Sequence, residues 1–218
     1  MNLGEIRSEL QALGYGPDTE DEQTILINAV YRDVTGERRW PWLQRTVDIL
    51  IDRDTSQVDL AFSAPDAREI DAVYVVGHSS PAFVPYGDFV ALTAARPAAH
   101  GVPTAWSLSR PWLLELHPTP DRAYRLRVAY IAIVTPLRND FDVPVIPEQH
   151  HDVLVYGAAA KMGIRERDTD QSQLMSAAYE RALARLRAAS NVVQRQNSEQ
   201  VRQTGLYRHG DGSCWWGC

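Results

Sequence analysis

The spacing of apolar residues changes twice along the chain, and this constrains the fold more than any single motif. Leu3, Ile6, Leu10 and Leu13 recur at steps of three and four, which places them on one face of a helix. Gly14, Tyr15, Gly16 and Pro17 end the pattern, so a first helix is expected over roughly residues 1–13. Thr19 with Glu22 three positions later reads as a capping box, and Leu26, Val30 and Val34 then form the stripe of a second helix. From Thr46 to Thr135 the step is two instead. Val47, Ile49 and Ile51 alternate with polar neighbours, and DAVYVV, WLLELH and YRLRVAYIAIV are further β-type runs. Prolines 81, 85, 97, 103, 111, 118 and 120 lie among these runs and keep the strands short. PYGDFVALTAA, between two of them, reads as one short helix.

Helical spacing returns after RNDFDVPVIPEQ, with Pro147 suited to a first helical position. VLVYGAAAKMG then predicts a helix that Gly163 terminates. Asp168 with Gln171 offers the next cap, and a long helix is expected to about Gln196, with Leu174, Ala178, Ala182, Leu186 and Val193 along one face. Small residues on both helices predict a tight helical hairpin. The expected fold is therefore α+β. A bundle of about four helices (1–45 and 136–197) carries an inserted small, mostly antiparallel β module (46–135), and a glycine-rich extended C-terminal tail (198–218) docks on a partner.

A chain of 218 residues with 44% apolar composition can bury a sizeable core. Its formal net charge of −6 lacks the basic footprint of a duplex-DNA binder. No apolar run of about eighteen residues occurs, and the acidic start MNLGEIRSEL does not read as a signal peptide, so a soluble protein made in a cytoplasm is expected. Cys214 and Cys218 are the only cysteines. They exclude a disulfide framework, and two thiols alone do not complete a structural zinc site.

His150, His151 and Asp152 have the side chains of a metal site. Adjacent helical residues point about 100° apart, however, and no His-x-x-x-His spacing accompanies them. Capping a helix start is the plainer role; a metal-dependent hydrolase built on these three is the enzymatic alternative. No nucleophile elbow or glycine-rich phosphate loop is present, so no catalytic, cofactor or metal residue is assigned.

Arg38 and Arg39 followed by Trp40, Pro41 and Trp42 admit two roles. Bases stack on aromatic rings, which would make the step part of a nucleic-acid-binding module together with the arginine-rich last helix. Alternatively, the arginines sit in a helix's favoured last turn, Pro41 stops that helix, and the two rings are buried at a structural junction. The junction is the expectation adopted. Trp215 and Trp216, between the two cysteines, suit anchors that bury apolar area in a partner. Charge is also uneven. Glu5, Glu9, Asp18, Glu20, Asp21 and Glu22 crowd the start, whereas Arg181, Arg185, Arg187, Arg195, Arg202 and Arg208 dominate the end. Helix dipoles and solvated faces account for this, as does contact between copies that closes into a ring.

The order ILINAVYRDVTGERRWPWL, LELHPTPDRAYRLRVAYIAIVTPL, VPVIPEQHHDVLVYGAAAKMGIRERD and YERALARLR resembles the head-to-tail adaptor (connector, or head-completion) proteins of tailed bacteriophages. The resemblance spans about residues 3–190. Its motifs are a helix with Asn-x-Ala-Tyr-Arg-Asp ending in Trp-Pro-aromatic, a His-Pro-x-Pro-Asp hairpin, and an Ile-Pro-Glu-x-x-His-Asp helix start. It implies a structural virion protein of the neck, without catalysis or cofactor. Such a protein forms a ring, usually of twelve copies, that joins capsid to tail under the portal protein and continues the DNA channel. Its partners would be the portal, neighbouring copies, downstream tail or neck proteins and DNA passing without specific binding, with no membrane. Arg202, Leu206, Tyr207, Arg208, Trp215 and Trp216 are then the expected portal-docking residues.

Overall fold

Asn2 starts the first helix: its side chain accepts from the Glu5 N–H at 2.8 Å while the Glu5 carboxylate accepts from the Asn2 N–H at 3.0 Å. This reciprocal cap satisfies two donors that a helix start leaves free. The computed structural model describes residues 1–15, 20–97 and 99–206, with only the backbone described for Glu166 and for 192–206. The Thr19 cap expected for the second helix lies outside these residues.

Along the chain, α1 (Leu3–Ala12) and α2 (Glu20–Gly36) lead through a 3-10 turn at Pro41–Leu43 into β1 (Gln44–Ile51) and β2 (Gln57–Asp59). Next come α3 (Leu60–Ser63), β3 (Ala67–Val75), β4 (Ala82–Phe83) and α4 (Tyr86–Ala95). The strands β5 (Ala105–Arg110), β6 (Leu113–His117) and β7 (Tyr124–Ala132) follow. A 3-10 turn at Glu148–His150 then opens α5 (Asp152–Glu166), and α6 (Thr169–Leu206) ends the described chain. Two compact units result, 1–42 with 136–218, and 43–135.

This corrects the expected bundle of about four helices with a small β module. The described residues form six helices and two sheets totalling seven strands, and α3 and α4 belong to the unit that carries the strands. In the other unit α1, α2 and α6 each pack on α5. Val153, Leu154, Val155, Ala158, Ala159 and Met162 make α5 almost wholly buried, so it is a hub rather than one wall of a shared four-way seam. The approach is closest at Gly157, where an added Cβ would lie 2.5 Å from Val30 of α2 and 2.9 Å from the Tyr179 ring of α6.

Other boundaries also differ. Gly163 does not end α5; it lets α6 approach, since a Cβ there would sit 3.1 Å from Ser172 Cα. The left-handed residue closing the helix is Arg167, at φ 61°. Asp168 does cap α6, accepting from the Gln171 N–H at 3.0 Å, but the Gln171 amide donates to Leu13 O instead of completing the box. The last helix continues through 198–206, which were expected to be extended, because nothing before Gly205 breaks a run of straight-chain helix formers.

In the second unit, β7 lies between β1 and β3 in an antiparallel three-stranded sheet. A four-stranded sheet has the order β2-β6-β5-β4, with β4 parallel to β5. Ile51, Val73, Leu126 and Val128 from the first sheet share one core with Val58, Trp106, Leu114 and Leu116 from the second. The His117–Asp121 stretch is no hairpin, because β6 and β7 belong to different sheets and the segment crosses between them. Asp48 faces Arg127 across β1 and β7, and the paired bonds of 2.7 and 2.8 Å hold its carboxyl below the usual range.

Candidate assembly surface

The segment after β7 is where the Asn-x-Ala-Tyr-Arg-Asp motif acts. Asn28 of α2 clasps the Leu137 backbone, donating to its carbonyl and accepting from its N–H, each at 2.8 Å. One turn on, the Tyr31 hydroxyl accepts from the Val145 N–H at 2.8 Å. The start of α1 adds two bonds, Leu3 N–H to Asp142 O at 2.9 Å and Gly4 N–H to Asp140 O at 3.0 Å. The Asp140 carboxylate pairs with Arg7, whose side chain is 10% exposed and also meets Glu20 at 3.1 Å. The Asn139 and Arg138 N–H groups bind the Asp142 carboxylate and hold it below the usual carboxylate range. Asp33 of the same motif pairs with Lys161 on α5 at 2.8 Å.

Within this pinned segment side chains alternate. Pro144 and Ile146 are buried, whereas Phe141, Val143 and Val145 are 86%, 62% and 39% exposed. In the sequence this stretch carries neither a helix nor a strand assignment. Its one signal was the step of two through Phe141, Val143 and Val145, masked because Pro144 and Ile146 on the opposite side are apolar as well.

A groove of about 590 Å³ lies along α5 and α6, lined by Tyr156, Ala178, Arg181, Ala184 and Arg185. Arg185 pairs with Asp152, and Arg181 donates to Ala177 O of its own helix at 3.1 Å. Both guanidinium groups rim the groove from exposed positions.

The histidine cluster does not converge. His151 is buried, and its Nε2 lies 2.7 Å from Ile146 O, which makes that nitrogen the donor. Burial pushes its pKa below the ordinary histidine value. His150 is half-buried and likewise lowered by burial, while Asp152 is engaged by Arg185. Among the described residues no three His, Cys, Asp or Glu side chains gather as a metal site would require.

Trp40 is fully buried, and its indole N–H donates to Val34 O at 2.7 Å. Its ring stacks on Trp42 at 4.5 Å, and the Arg38 guanidinium lies 5.2 Å from its centre while bonding Asn191 Oδ1 at 3.0 Å. A ring so enclosed offers no face to a base. Pro41, Trp42 and His150 line one cavity of about 340 Å³ with Pro147, Gln149, Ala189 and Ser190, which brings together residues the sequence had assigned to separate roles. Of the expected docking residues, Arg202 and Leu206 lie on α6 with only their backbone described. Tyr207, Arg208, Trp215 and Trp216, with Cys214 and Cys218, fall outside the described residues. No described helix is long and apolar enough to cross a membrane.

No curated protein matches the chain. The family model described as SU10 adaptor protein matches residues 1–204. That match takes in the helices, both sheets and the pinned segment, and by it the chain belongs to the SU10 adaptor family of phage head-to-tail adaptors.

Proposed function

We propose that this protein, a structural component of the phage neck, assembles as a ring of twelve copies under the portal and continues the channel through which DNA passes. The family match over residues 1–204 carries this reading. The chain acts by holding surfaces in place, without catalysis or cofactor. Trp40, Pro41 and Trp42 form the junction at which the chain leaves the helical unit, and 198–218, with Arg202, Leu206, Tyr207, Arg208, Trp215 and Trp216, contacts the portal. Tail or neck proteins bind on the far side. The net charge of −6 supports passage of DNA without grip, since a wall that does not neutralise phosphates does not retain them.

Native mass spectrometry of the protein alone, and then mixed with the portal protein of the same virus, tests this. A discrete complex with one copy per portal subunit is the expected result. Absence of association at high concentration of both proteins overturns it.

A further inference from the structure

The exposed ridge on residues 141–145 is unusual because its backbone is fixed. Loops commonly expose apolar side chains by being mobile, but this one is held by Asn28, Tyr31, Leu3 and Gly4 and still turns Phe141 and Val143 to solvent. A fixed backbone removes much of the ordering cost that docking otherwise incurs. Such a ridge is built to be covered.

The same unit carries a surface of matching chemistry. The α5–α6 groove has Ala178 and Ala184, which leave room for a large side chain, and the Tyr156 ring beside them. Arg181 and Arg185 rim it. Asp140 and Asp142 adjoin Phe141 in the sequence, which makes this stretch acidic, whereas Arg181 and Arg185 make the groove basic. Each charge already has a partner within its own chain, so complementarity across the contact sets orientation more than strength.

We propose that the Phe141–Val145 ridge of one copy docks in the Tyr156/Ala178/Ala184 groove of the next. Ridge and groove are different surfaces of one chain, so the contact is head-to-tail and propagates until a ring closes. The inference deepens the adaptor reading by naming the surface through which copies meet.

The test uses full-length chains in which Cys214→Ser and Cys218→Ser remove the native thiols. One chain carries Phe141→Cys and the other Ala184→Cys, and they are mixed under mild oxidation at high concentration. Disulfide-linked pairs in the mixture, and not in either chain alone, are expected. In the otherwise native chain, Phe141→Ala is expected to weaken self-association about thirtyfold by sedimentation, with the helical circular dichroism unchanged. Equal linkage in the Phe141→Cys chain alone marks a ridge-to-ridge contact and overturns the proposal. No linkage in the mixture also overturns it. Portal uptake read on the same samples reports separately on the adaptor reading, which stands if uptake persists without linkage.

Discussion

Asn28 ties together positions 109 apart in the sequence through both ends of one amide. Asn28→Ala leaves the Leu137 N–H and carbonyl without that partner in a half-buried place, and a loss of about 1–3 kcal/mol is expected in urea unfolding. Asn28→Asp keeps only the acceptor and is expected to recover part of the loss. Neither partner atom could be read from the sequence, because a backbone group has no letter of its own and the asparagine stands on an ordinary helical stripe. His151 makes a second residue-scale case. Burial holds its pKa below the ordinary value of about 6.5, so the unfolded chain binds the proton more readily than the folded one. Stability is therefore full above about pH 6.5 and declines on acidification through the window down to the lower folded pKa. His117 and His150, also lowered chiefly by burial, act in the same sense. The urea midpoint is expected to fall between about pH 7.5 and about pH 5.5, and less steeply in His151→Gln.

Among elements, α5 has the least tolerance. Gly157→Ala places a methyl against Val30 and Tyr179 at once and is expected to cost about 1–3 kcal/mol by thermal unfolding. Gly36→Ala, at a site with nothing within 4 Å, is the control and is expected to change stability by less than about 0.5 kcal/mol. The strands β1, β6 and β7 and the second half of β3 were legible in the sequence as β-type runs, as was α4. The two- and three-residue strands β4 and β2 were not, since pairing rather than pattern makes them strands. The buried face of α6 was read correctly at Ala182 and Leu186 and misjudged at Leu174, for a physical reason. Leu174 is 59% exposed, whereas Ser172 and Ser190 are buried. Small hydroxyls that bond carbonyls of Ala160 and Leu186 fit a close helix contact, where a leucine would not. The ridge was missed because Pro144 and Ile146 on its buried side are apolar as well; the groove was missed because its walls come from two helices.

For the molecule as a whole, the proposed function makes assembly, rather than folding, the expected role of the chain beyond Leu206. Replacing Trp215 and Trp216 together with alanine is expected to leave the unfolding midpoint unchanged while weakening portal binding by about 2 kcal/mol or more, measured by titration calorimetry. The interleaving of the two units has a further consequence, during synthesis. The helical unit is written in two pieces, 1–42 and 136–218, on either side of the strands. When residue 42 leaves the ribosome, Leu3, Ile6, Leu10, Ile27 and Val30 already exist, but the hub helix against which α1 and α2 pack does not. At about 5–20 residues per second, roughly 6–25 s pass before Asp152 to Glu166 are made, whereas the unit at 43–135 is complete first. All the strands are thus synthesised before the hub helix, and the apolar faces of α1 and α2 wait longest for their partner.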